Sequence, residues 1–273
     1  MSGKPAFDLA AYFARIGIED PRADVAGLFA LQEAQMRAIP FENFDPLLGK
    51  EPALGIGDLC AKLVAGGRGG YCFELNLLFG AALLAAGFAP RRMLGRVRMR
   101  GGVDAAPRSH LMLRVEAEGR AFLADAGFGG PGPLAPVELL PGVEQQAPNG
   151  VFRVVEDHAT GELVLERLAG EGWMELYGFD GAWVSDGEIE GANYICATWD
   201  AAPFSAHAML AAYAGDRRIG LFDRGVTVEG PAGIEQRQLK EFEDFRRVVQ
   251  EDMGIGLDAQ ALSRAWEKLP PSQ

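Results

Sequence analysis

Arg68-Gly69-Gly70-Tyr71-Cys72-Phe73-Glu74-Leu75-Asn76 places a thiol where a glycine-rich turn runs into an apolar helix. From Cys72 to Ala86 the chain is almost continuously apolar, and Gly87 supplies a stop, so the pattern predicts a helix buried on nearly all sides. The free N–H groups and positive dipole end at such a helix start stabilise a thiolate, the form of cysteine that attacks carbonyl carbon. Buried cysteine is nevertheless more often a small hydrophobe, so the case for Cys72 as nucleophile rests on its partners. Cys60 and Cys196 follow no glycine turn and read as packing residues. Three cysteines without a CxxC pair give neither a disulfide framework nor metal-ligand spacing, which implies a reducing, cytoplasmic setting and no metal.

A thiolate needs a proton acceptor, and the chain has three histidines: His110, His158 and His207. His110 opens an alternating stretch to Val115, and Phe122–Asp125 forms a second, with Glu118-Gly119 between them as a two-residue hairpin turn. That turn sets Asp125 opposite Met112. His110, Met112, Arg114, Leu123 and Asp125 then share one face, and Leu111, Leu113, Val115, Phe122 and Ala124 the other, which is expected to be the core. His110 and Asp125 become diagonal neighbours with backbones roughly 7–8 Å apart, a gap their side chains span. A carboxylate that orients an imidazole is the second half of a nucleophile–His–acid triad. His158 reads as an exposed turn residue, and His207 as a surface helix residue.

Three segments now carry a resemblance: Arg68-Gly69-Gly70-Tyr71-Cys72-Phe73-Glu74, Ile39-Pro40-Phe41-Glu42-Asn43-Phe44-Asp45 and Asp125-Ala126-Gly127-Phe128-Gly129. In kind, order and spacing they resemble the signature segments of the arylamine N-acetyltransferases, and the similarity runs from Phe7 to Leu257. The resemblance implies an acetyl-CoA-dependent, ping-pong enzyme in which Cys72 holds the acetyl group, His110 shuttles the proton and Asp125 orients His110. It also implies that Arg68, Phe41 and Glu42 line or brace the site. Val97, Ser109, Gly127, Phe128, Gly129 and Phe204 would meet coenzyme A or an aromatic amine acceptor. Gln35, Ala197 and Trp199 depart from the family pattern, positions tied to local packing and acceptor choice. Neighbouring readings are an amide synthase of the same family, a cysteine hydrolase or transglutaminase-like enzyme, and a non-enzymatic binding module.

The wider sequence agrees. A chain of 273 residues buries a large core. A formal charge of −12 argues against nucleic acid or an anionic membrane as partner, and no apolar stretch is long enough for a span. Asp125-Ala126-Gly127-Phe128-Gly129-Gly130 follows a strand, so its amides suit an anion-binding nest. The run lacks the GK[ST] ending of a nucleotide-triphosphate loop. Arg96, Arg98 and Arg100 alternate as the solvated face of a strand. Helices are predicted over residues 8–16, 23–39, 56–64 and 72–86. Strands follow at 93–99, 110–115, 122–125, 151–155, 163–167 and 173–178, and residues 129–150 form one long connection. A mixed C-terminal part adds strands at 218–222 and 226–229 and a helix with Leu239, Phe242, Phe245, Val248, Val249 and Met253 on its core stripe. The expected architecture is α+β: a helical bundle (1–92), a small antiparallel β-barrel (93–195) and an α/β lid (196–273). Its centre is a Cys-His-Asp core like that of cysteine proteases and transglutaminases, a spatial arrangement taken from the resemblance.

Overall fold

The computed structural model describes residues 7–99 and 107–270. Helices open the chain, each bounded by local chemistry. Asp8 caps α1 (Leu9–Ile16) by accepting from Ala11 N–H at 2.9 Å, and Gly17, at φ 69°, ends it. Asp24 caps α2 (Val25–Ala38), which stops ahead of Pro40. Two short helices follow, α3 (Phe44–Leu47) and α4 (Ile56–Leu59), the latter widening into a π-helical turn over Cys60–Ala65. Helix α5 (Cys72–Ala85) is the central rod of the bundle; Phe73, Leu75, Leu78, Phe79, Ala82 and Leu83 on it are all buried.

Eight antiparallel strands form one sheet: β1 (Arg91–Val97), β2 (His110–Ala117), β3 (Arg120–Ala124), β4 (Val137–Glu138), β5 (Gln145–Ala147), β6 (Gly150–Asp157), β7 (Glu162–Ala169) and β8 (Gly172–Phe179). Their order is β4-β3-β2-β1-β8-β7-β6-β5. The sheet curls until its two edges nearly meet. The Gln145 side chain on edge strand β5 bonds both the N–H and the C=O of Glu138 on edge strand β4, at 2.7 and 2.8 Å. A near-closed barrel thus leaves little edge for foreign pairing. The connection expected over residues 129–150 is therefore partly strand, since it holds both edges.

After the barrel come α6 (Asp186–Thr198) and a 3₁₀ turn at Pro203–Ser205. A second sheet, β9 (Met209–Ala214), β10 (Arg217–Phe222), β11 (Gly225–Gly230) and β12 (Gly233–Gln238), runs in simple order. It is followed by α7 (Phe242–Arg247), which continues as a π-helical turn over Val248–Asp252, and by α8 (Ala259–Lys268). No described helix is long and apolar enough to cross a membrane.

Three apolar clusters hold these parts, and the β2–β3 hairpin faces two of them. Leu111, Leu113, Val115, Phe122 and Ala124 pack into the helical cluster around α5. Met112 and Leu123, on the opposite face, fill the barrel interior with Met93, Phe152 and Phe179. The expectation of one core face is corrected: both faces are buried, because the hairpin is the wall between bundle and barrel. The third cluster joins Phe44 and Leu47 of α3 to the lid residues Leu221, Val226, Phe245 and Leu262.

Candidate active site

Cys72 is the first residue of α5, and the turn before it is clamped by neighbouring chain. Glu42 N–H bonds Gly70 C=O at 2.9 Å, while Phe41 exchanges two backbone bonds with Ala211 of β9 at 2.8 and 3.0 Å. The Ile39–Asp45 segment therefore knits the turn before Cys72 to the second sheet. Beneath it lies a buried ionic cluster. Lys62 reaches Asp45 and Glu74, each at 2.7 Å, and Arg68 reaches Glu42 at 2.6 Å. Burial pushes the Glu74 carboxyl up to about 7 against the pull of Lys62. Glu74 also accepts from Tyr71 N–H at 3.2 Å, closing the helix start.

The hairpin has the register its turn requires. Glu118 and Gly119 both take positive φ (51° and 74°), and Leu113 sits opposite Ala124. His110 Nε2 lies 2.7 Å from Asp125 Oδ2, with both side chains buried. The other His110 ring nitrogen remains for Cys72, whose anion the imidazole favours, while the thiol donates to Ser109 C=O at 3.6 Å. Burial opposes charge on His110, but Asp125, helped by Cys72, outweighs it and raises the imidazole pKa to about 10. Burial also pushes the Cys72 thiol up, against the bond and positive charge of His110. Ionisation of Cys72 therefore depends on the imidazolium beside it, and the two groups titrate as a pair. Asp125 stays below the usual carboxylate range despite complete burial, because His110, Asn76 and the Gly127 N–H all favour its anion.

Two side chains that complete this arrangement were missed in the sequence. Asn76, one turn beyond Cys72, donates to Asp125 Oδ1 at 2.8 Å and to Leu111 C=O at 2.7 Å, and accepts from Ala126 N–H at 2.9 Å. A polar residue at i+4 from the cysteine, in a helix whose other polar side chain is Glu74 in the first turn, was its available signal. Tyr177 of β8 donates to Asp125 Oδ2 at 2.8 Å and packs its ring 4.7 Å from His110. Nothing local in the sequence announced it.

Phe41, Cys72, Val97, Ser109, His110, Phe128, Gly129 and Phe204 all line one mainly apolar cleft of about 480 Å³. Met99, Ile195, Trp199 and Met209 add to its wall. Cys196 does too, with Sγ 3.6 Å from Ser109 C=O, the same distance at which Cys72 Sγ meets that oxygen. The reading of Cys196 as a packing residue is thus incomplete, although burial pushes its thiol up to about 12 and keeps it protonated.

Of the alternatives of lining or bracing, Arg68 takes the second: Glu42 and Asp45 hold it below the turn before Cys72. Gly127 does not line the cleft, and its N–H is given to Asp125 Oδ1 at 3.0 Å rather than left for an anion nest. Arg98 is no solvated strand residue: Asp157, Glu162 and Glu175 surround its buried guanidinium. Arg100 lies outside the described residues. His207 belongs to a loop rather than a helix, with Nδ1 2.8 Å from Asp223 Oδ2. The departure at Gln35 concerns packing: its buried amide joins Tyr12 OH, at 2.6 Å, to Leu75 C=O, at 3.0 Å. Ala197 is buried on α6, and Trp199, its C-cap, faces the cleft. Among the described residues no acidic, histidine and cysteine side chains gather into a metal-holding group.

A cysteine at a helix start, a buried His–Asp pair and an apolar cleft above them form a set that can be compared with known proteins. A family profile described as N-acetyltransferase matches residues 24–262. The chain is 34% identical over 250 residues to an arylamine N-acetyltransferase of Escherichia coli (strain K12), covering 90% of this chain and 88% of that one. The chain belongs to the arylamine N-acetyltransferase family. Its fold matches that of the Salmonella typhimurium arylamine N-acetyltransferase (TM-score 0.88, 31% identity, 95% and 97% of the two chains). It also matches the Mycobacterium marinum arylamine N-acetyltransferase solved in complex with CoA (TM-score 0.90, 30% identity, 96% and 100%). As a member of this family the protein is an acyltransferase.

Proposed function

We propose that this arylamine N-acetyltransferase family member moves an acetyl group from acetyl-CoA to an arylamine, arylhydroxylamine or arylhydrazine nitrogen in two half-reactions through acetyl-Cys72. The observation that carries the reading is the buried Cys72–His110–Asp125 set on the floor of an apolar cleft. In the first half-reaction Cys72 sulfur attacks the thioester carbonyl. The tetrahedral adduct expels CoA thiolate, and His110 imidazolium supplies the proton that makes it CoASH. In the second, the uncharged amine attacks acetyl-Cys72, its surplus proton passes to His110, and Cys72 leaves as thiolate paired with the imidazolium.

Asp125 contributes by staying ionised. It fixes the His110 ring orientation and favours its charged form, so that CoA thiolate leaves beside a proton donor and the neutral ring left behind readily takes the proton of the amine. The apolar wall made by Phe41, Phe128, Trp199 and Phe204 suits a flat aromatic amine, whose weakly basic nitrogen is unprotonated at neutral pH. The Cys72 floor is sheltered from water, which protects a thioester intermediate from hydrolysis.

Incubation with acetyl-CoA alone, followed by intact mass and peptide mapping, tests the reading. One acetyl group on Cys72, discharged by an added arylamine, is expected. A protein that turns over acetyl-CoA and amine with no acetyl-Cys72, or one that is equally active as Cys72→Ala, would overturn it.

A further inference from the structure

A second cleft, of about 310 Å³, opens where the barrel meets the lid, and three arginines line it: Arg37 of α2, Arg167 of β7 and Arg218 of β10. Such a gathering of guanidinium groups stands out in a chain of formal charge −12. Two carboxylates, Asp216 and Glu229, share the lining, so the cations outnumber the anions. Arg37 is held by Glu33 at 2.8 Å and Arg167 pairs with Glu229. Arg218 has no salt bridge among the described residues, and the Nε atoms of both Arg167 and Arg218 are buried without a hydrogen-bond partner. Arg98 shows how the same fold treats a buried arginine elsewhere: its Nε is unpartnered too, but three carboxylates pair with the rest of its guanidinium. A desolvated guanidinium without a direct ion pair is costly, and burial pulls the Arg218 pKa below its ordinary value against the weaker field of Glu229, whose carboxylate is bonded to Arg167.

Arg218 also touches the catalytic machinery. Its Nη2 donates to Gly129 C=O at 2.6 Å, and Gly129 lines the cleft above Cys72. One peptide therefore separates the arginine cleft from the acyl-transfer cleft.

We propose that the Arg37–Arg167–Arg218 cleft is a binding site for a phosphate-class anion, whose oxygens supply the direct ion pair that Arg218 lacks among the described residues. Three planar guanidinium groups brought together from separate elements fit the oxygens of a phosphate or diphosphate better than a single carboxylate. Two sources offer that chemistry: the nucleotide end of an acyl-CoA seated in the neighbouring cleft, or a separate phosphorylated metabolite. The first source rests on the acyl-CoA reading above, and the site itself does not.

The test is calorimetric titration of the whole chain with inorganic pyrophosphate, using Cys72→Ala protein so that acyl transfer does not intervene. Saturable binding is expected, weakened about tenfold or more by Arg37→Gln and by Arg218→Gln, and unchanged by Arg153→Gln on the barrel. If Arg218→Gln does not fold, the half-exposed Arg37 carries the comparison. Competition between pyrophosphate and CoA, with CoA binding also weakened by Arg37→Gln, identifies the coenzyme end as the occupant. Independent binding of the two supports the site and identifies a separate metabolite. Pyrophosphate binding without any CoA binding would retain this site while removing the acyl-CoA reading. Absence of saturable pyrophosphate binding, or equal affinity in Arg37→Gln, would overturn the proposal.

Discussion

Asn76 lies one helical turn beyond Cys72 and donates its amide to Asp125 at 2.8 Å, so Cys72 and Asp125 are held by one helix. Its carbonyl oxygen simultaneously accepts from Ala126 N–H, fixing the chain directly after the acid. Asn76→Ala leaves the buried Leu111 C=O and Ala126 N–H without these partners and removes one donor from a buried carboxylate. A stability loss of about 1–3 kcal/mol is expected. Acetylation of Cys72 is expected to slow by at least tenfold as well, since Asp125 loses its anchor. Thermal unfolding and the rate of adduct formation check the two effects. A variant that melts lower yet acetylates at the wild-type rate would confine Asn76 to a packing role.

Tyr177→Phe separates hydrogen bonding from packing at the same carboxylate. The ring contacts to His110 at 4.7 Å and Phe128 at 5.0 Å persist, whereas the donor to Asp125 Oδ2 is lost. The Tyr177 hydroxyl has its own pKa pushed far up by burial and by Asp125, so it is a donor at every working pH. With one donor fewer, the Asp125 anion is less favoured and its pKa rises. The acid limb of the pH–rate profile should therefore move to higher pH, with a plateau rate about tenfold lower, the worth of one charge-assisted bond. An acid limb that stays in place would show that Tyr177 does not tune the carboxylate.

The hairpin explains why this much was readable in sequence. A two-residue Glu118-Gly119 turn admits one register, and that register puts His110 and Asp125 on one face whatever surrounds them. What surrounds them was not readable. Alternation predicts one buried face, but the hairpin stands between two cores, and only the packing of α5 on one side and the barrel on the other decides that. Arg98 failed for the same reason, since its three carboxylates come from Asp157, Glu162 and Glu175, far along the chain. Strand β12 carried no signal because all six of its residues are exposed, and it exists through pairing with β11 alone. Tyr177 reaches Asp125 from 52 residues away, across a barrel whose closure no local pattern encodes.

Stability should fall on the alkaline side through His110. Its pKa rises from an ordinary 6.5 to about 10 on folding, so between these values the native state holds a proton that the unfolded chain has released. The stabilisation is complete below about 6.5 and disappears as pH passes 10. Asp125 acts in the opposite direction: its pKa is lowered, and its contribution is lost as pH falls through the native value. Melting temperatures recorded from pH 6 to 10 should therefore decline in the wild type and decline less in His110→Gln. Parallel curves for the two proteins would mean that the imidazolium is not the resident form.

Gly127 packs the loop after Asp125 tightly against the start of α5. A Cβ there would stand 2.7 Å from Asn76 Nδ2 and 3.1 Å from both the Cα and the carbonyl oxygen of Cys72. The Asn76 amide can swing away only by releasing Asp125, and the Cys72 backbone belongs to a helix packed on nearly all sides. Gly127→Ala must then displace the Asp125–Gly129 loop, loosening the His110–Asp125 contact by a fraction of an ångström or more. Misplacement on that scale costs about a hundredfold in a reaction that depends on aligned groups. The stability penalty should be about 1–3 kcal/mol, as for other overpacked interiors. Gly172→Ala, whose Cβ would meet nothing within 4 Å, serves as the neutral comparison. Acetylation of Cys72 measured beside the melting temperature separates the two effects. If Gly127→Ala retained full acetylation while losing stability, the loop would have room to absorb the methyl group, and the spacing between Asp125 and Cys72 would not limit the chemistry.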